Sequence, residues 1–107
     1  CLSRFTQQSH IETYAAMADH LQEYNHWMEV SNLLVWRDGI HDALRAGVGI
    51  SPDHRLMLAA AEDRLISLWK ELVRRFPDVF ADRAPLEYWW WHLDKGPQVR
   101  EEAERAA

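Results

Sequence analysis

No glycine or proline occurs before Gly39, and the whole chain of 107 residues holds only four of each. With the two residue types that most often end a helix so scarce, a fold built on many tight turns is excluded and a long N-terminal helix meets no obstacle. Cysteine is scarcer still. Cys1 stands alone, so no internal disulfide, paired redox motif or Cys-based zinc site can form, and a reducing, cytoplasmic setting is the expectation. No apolar run approaches the roughly 18 residues that cross a bilayer, and no leader pattern of a basic head and apolar core appears, so no membrane role is expected.

A basic surplus is missing too. The net charge is −5, with three Lys/Arg against six Asp/Glu in residues 1–49 and nine against eleven in residues 50–107. Neither half offers the positive footprint that a phosphate backbone requires. A helical factor acting on nucleic acid through Arg37 and His41, four residues apart, is therefore the least favoured reading. Glycine-flanked serines and phosphate-cradling glycine loops followed by Lys are also absent, which removes the usual nucleophilic and nucleotide-binding motifs.

What remains is apolar and aromatic. A hydrophobic share of 48% beside 27% charged residues describes a folded chain rather than a disordered one, and the length suits a single core. Helical periodicity organises it, without strand alternation or internal repeats. Taking Tyr14 as zero, His10, Met17, Ala18, Leu21, Tyr24, Asn25 and Met28 share an arc of about 120°, which predicts a helix over 6–30. A new phase through Leu33, Trp36, Ile40, Ala43 and Leu44 predicts a second helix over 33–46, with Ser31-Asn32 as a weak boundary and a single kinked helix as the alternative. Ser51-Pro52-Asp53 is a strong start, and Leu58, Ala61, Leu65, Ile66, Trp69, Leu72 and Phe76 carry a third helix over 52–76. Pro85 and Gly96-Pro97 bracket a fourth over 85–95. The expectation is an all-α, compact bundle of four helices in one domain (1–97), with a charged, fraying C-terminal tail over 98–107.

The fourth segment carries the sharpest signal. Tyr88-Trp89-Trp90-Trp91 is followed at once by His92, and successive residues on a helix point about 100° apart, so these side chains cannot share one core. With Leu86 at zero, Trp89, Trp90 and Leu93 face inward while Trp91 falls near 140° and Tyr88 near 200°, on the side of Glu87 and Lys95. This predicts a non-catalytic interaction or assembly subunit. Tyr88, Trp91, His92 and Lys95 would meet a protein partner or a second copy of the chain. Lys95 lying across Trp91 as a cation–π contact is the local alternative.

The rival reading is a small helical enzyme or metal protein using Glu62 and the histidines. Glu62 falls on the apolar face of the third helix, where burial would suit it to acid–base work; pairing with Arg55 is the plainer account. Glu23-x-x-His26 and Asp38-x-x-His41 have the spacing of helical carboxylate–histidine metal sites, but three of the four residues point away from the apolar faces on which such sites are built. No metal, cofactor or catalytic residue is assigned from the sequence.

Overall fold

The computed structural model describes residues 4–80 and 84–106; Cys1 lies outside them. The described residues are helical, with no strand among them, in five α-helices: α1 Arg4–Asp19, α2 Trp27–Arg45, α3 Pro52–Ser67, α4 Trp69–Arg75 and α5 Val99–Ala106. Against the four helices expected, the differences each have a physical cause. None of the five is long and apolar enough to cross a membrane.

The first helix stops at Asp19 rather than near residue 30, although nothing in the sequence breaks it. Its exposed terminal carbonyls are taken up by side chains from elsewhere: Arg64 donates to Ala18 and Asp19, and the Tyr24 hydroxyl donates to the Met17 carbonyl at 2.7 Å. A 3₁₀ turn at Leu21–Glu23 then buries Leu21 and Tyr24. The next helix starts six residues early, at Trp27, because His26 caps it. The His26 ring accepts from the Met28 N–H while the Glu29 carboxylate accepts from the His26 N–H, a reciprocal cap in which histidine stands where serine or threonine is usual. From there α2 runs through Ser31-Asn32 and Gly39 without interruption.

The third helix begins where expected, the Ser51 hydroxyl accepting from the His54 N–H at 3.1 Å with Pro52 in the first turn. It is broken at Leu68 (φ −104°, ψ 11°) into α3 and α4. Ser67 donates its hydroxyl to the Arg64 carbonyl at 2.8 Å, and this back-bonding competes with the helix ladder at the break. The tail is not frayed. Val99 and Ala103 are buried, so 99–106 docks as α5, while Arg100 reaches Asp63 of α3 at 2.8 Å.

Residues 85–95 depart furthest from expectation. Instead of one α-helix there are two 3₁₀ turns, Trp89–Trp91 and Leu93–Lys95, followed by Gly96 at φ 106°, a conformation that favours glycine. An α-helix would have faced Trp89 and Trp90 inward and carried Tyr88 and Trp91 outward. In the 3₁₀ turns Trp89 and Trp90 are buried in the core, and Tyr88 and Trp91 are half-buried against it. The centre of that core is Ile11 and Tyr14 from α1, Leu33, Leu34 and Ile40 from α2, Leu65, Leu72, Phe80, Trp90 and Leu93. Within it α1 packs on both α2 and α3, and α5 packs on the Trp89–Trp91 turn.

Candidate functional site

Four polar residues of α2 share one side of the helix at spacings of three, one and three: Asp38, His41, Asp42 and Arg45. Each holds part of the segment 87–91. One oxygen of Asp38 accepts both indole N–H groups, from Trp90 at 2.6 Å and Trp91 at 2.8 Å. Asp42 accepts the Tyr88 hydroxyl at 2.6 Å. His41 and Arg45 hold the Glu87 carboxylate at 3.1 and 3.0 Å. The His41 ring also lies edge-on against Tyr88 and Trp90, with centroids 4.9 and 5.5 Å away. The aromatic run is thus fastened to α2 by its polar edges.

Burial raises the Asp38 carboxyl above its ordinary range, with the two indole hydrogen bonds acting against that rise. What the two indoles require of Asp38 is an acceptor oxygen. Asp38→Asn keeps an oxygen in place and should leave stability within about 1 kcal/mol of the parent, whereas Asp38→Ala strands a buried indole N–H and should cost about 2–4 kcal/mol. Denaturant melts compare the two; equal losses would mean that the charge, not the acceptor, is needed.

The tyrosines make a second prediction. Tyr88 is pushed up to about 12, first by its bond to Asp42; Tyr24 is raised by burial and by Glu29, and Tyr14 is raised by burial and by Glu62. A group whose folded value is raised contributes stability that is complete below the unfolded value, about 10 for tyrosine, and is lost as pH climbs through the folded value. All three tyrosines should therefore titrate above the ordinary tyrosine value of about 10 in the folded chain, with stability falling as pH climbs past it. Absorbance at 295 nm against pH, with and without denaturant, checks this. A tyrosine titrating near 10 in the intact fold is the contrary result.

Fastening the segment encloses a cleft of about 750 Å³ between the C-terminal half of α2, residues 86–90 and α5. Its walls are Leu44, Leu86, Trp89, Trp90 and Ala103, and Arg45, Glu87 and Glu104 stand among its lining residues. Arg37 and Glu62 also line it as a buried ion pair. Arg37 Nε and Nη2 both donate to Glu62 Oε2 at 3.4 Å, and the guanidinium carbon lies 4.3 Å from the Trp90 ring centre. Arg37 Nη1 and the Tyr14 hydroxyl have no hydrogen-bond partner among the described residues.

The residues singled out from the sequence fall in different places. Tyr88 and Trp91 are half-buried, with their polar atoms committed to Asp42 and Asp38. His92 is 2% exposed, its ring 2.7 Å from the Ala84 carbonyl oxygen, and Lys95 is exposed. Glu62 is buried as its position on the apolar face implied, but its partner is Arg37 rather than Arg55. Glu62 and His41 do meet at one cleft. The other histidines are dispersed: His20 pairs with Glu23, His26 caps α2, His54 lies by Glu12, and His10 packs edge-on to Trp36. Among the described residues no three His, Cys, Asp or Glu come together as metal ligands.

Glu87 and Asp42 were not recognised from the sequence as parts of a site, and Arg37 and Asp38 were weighed only beside His41, as a nucleic-acid pair and as metal-ligand spacing, not as the partner of Glu62 and the acceptor of the indoles. A signal was present: two acids four apart on a helix in a chain with adjacent tryptophans, whose buried N–H groups need acceptors. No family model matches the chain, and neither a curated protein nor a solved structure shows significant similarity to it.

Proposed function

We propose that this chain is a non-catalytic binding protein whose ligand enters the cleft between α2, the aromatic segment and α5. One observation carries the reading: a concavity of about 750 Å³, walled by tryptophan, leucine and alanine, ends on a buried Arg37–Glu62 pair. Pockets of a few hundred Å³ with apolar walls and a few convergent polar groups are the usual form of a small-molecule site. Binding is favoured over catalysis because the titratable lining groups are already paired: Arg37 with Glu62, His41 and Arg45 with Glu87, and Glu104 with Arg100. Among the described residues no serine, threonine, cysteine or lysine lines the cleft to serve as a nucleophile.

The test is a titration of ¹⁵N-labelled protein with fragment-sized aromatic compounds, followed by NMR. Shifts gathered on Arg37, His41, Leu44, Trp89, Trp90 and Ala103 are expected. Shifts gathered on another face, or no saturable shift, would overturn the reading.

A protein-binding role keeps one specific support. Trp27, Met28 and Val35 are 54%, 51% and 55% exposed along α2, which is large apolar area on a helix that otherwise buries its own. Tyr88, Trp91 and Lys95 extend the same proposal to the side anticipated from the sequence. If the chain self-associates, sizing should show concentration dependence that Trp27→Ala or Trp91→Ala weakens.

A further inference from the structure

The Arg37–Glu62 pair is arranged asymmetrically. Two guanidinium nitrogens converge on Glu62 Oε2, which leaves the buried Arg37 Nη1 without an acceptor among the described residues. Both side chains are more than nine-tenths buried and both line the cleft, Arg37 lying against the Trp90 ring. The cleft is thus lined by a guanidinium and a carboxylate held together in one buried pair, whose charges cancel.

We infer that the cleft takes a neutral ligand whose flat apolar body lies along the Trp89–Trp90 wall and whose carboxamide or lactam group meets the Arg37–Glu62 pair. This rests on the reading of the cleft as the binding site and adds the chemistry of what fills it. A carboxamide presents an adjacent carbonyl and N–H, the complement of a guanidinium donor beside a carboxylate acceptor. A carboxylate head would be drawn to Arg37 and repelled by Glu62, and an ammonium head would meet the reverse. Reaching the pair also strips the head group of water. That penalty is far larger for an ion than for an amide, and an amide recovers its hydrogen bonds on both sides. The other charged lining residues do not tip the balance toward an ion, because Arg45 is already neutralised by Glu87.

Three probes with one ring system separate these possibilities: 2-naphthamide, 2-naphthoate and 2-naphthylmethylammonium, each titrated into the full chain and followed by NMR. The amide is expected to bind about tenfold tighter than either ion, the ratio produced by roughly one well-made hydrogen bond. Glu62→Gln, with its fold checked by circular dichroism, should reverse the order toward the naphthoate, since Arg37 then stands uncompensated. Three probes binding equally in the cleft would overturn the head-group assignment and leave the cleft as a binding site. An ion that binds tightest to the parent chain would overturn it as well. No saturable shift from any probe would remove the cleft reading itself, and this inference with it.

Discussion

Trp90→Ala is expected to lower the stability of the chain by about 3–5 kcal/mol, the range for truncating a fully buried tryptophan. Trp90 is 0% exposed, and its loss acts in three ways at once. A cavity opens in the core cluster, Asp38 loses one of its two indole donors, and the Arg37 guanidinium loses the ring at 4.3 Å. Trp91→Ala should cost less, about 1–2 kcal/mol, because its ring is half-buried and water can take over part of its hydrogen bonding. Chemical denaturation with a common slope measures both. If the two substitutions cost the same, the aromatic run is not divided into a core residue and a flanking one.

Glu62→Leu should be as damaging as Trp90→Ala, at about 3–5 kcal/mol, because it leaves the Arg37 charge buried without its partner. Adding Arg37→Met to the same chain should recover nearly all of the loss, to within about 1 kcal/mol of the parent or above it. Replacing a buried ion pair by apolar residues of similar volume is often neutral or stabilising. The double-mutant cycle therefore distinguishes two roles for the pair. A stable double variant means that the fold does not require it and leaves ligand recognition as its use. A double variant as unstable as the single would tie the pair to the fold through the packing of Arg37 on Trp90.

The sequence carried the all-helical class, the capped start at Ser51 and the inward direction of Glu62, because each follows from local pattern. It did not carry the end of α1. No residue there breaks a helix, and the groups that complete its terminal carbonyls, Arg64 above all, lie 46 positions away. The start of α2 was hidden by its cap, since His26 does the work usually done by serine or aspartate. For the aromatic run, the conflict was legible and its resolution was not: four rings cannot share one face of an α-helix, but nothing local says that the chain yields by forming 3₁₀ turns. Glu62 could be placed on an apolar face, yet its partner Arg37 is 25 residues distant and belongs to another helix. The cleft inherits this obscurity, since four separated stretches of chain build it.

The polar side of α2 also bears on the order in which the molecule assembles. Asp38, Asp42 and Arg45 reach partners 42 to 53 positions later in the chain. A nascent chain therefore completes α1, α2 and α3 before the first of those partners exists. Loop-closure entropy grows slowly with length, so the separation adds little cost to docking the segment on an α2 already in place. The aromatic segment is then a late-docking unit, and its backbone amides should exchange with solvent ahead of those in α1 and α3, by an opening that leaves the earlier helices closed.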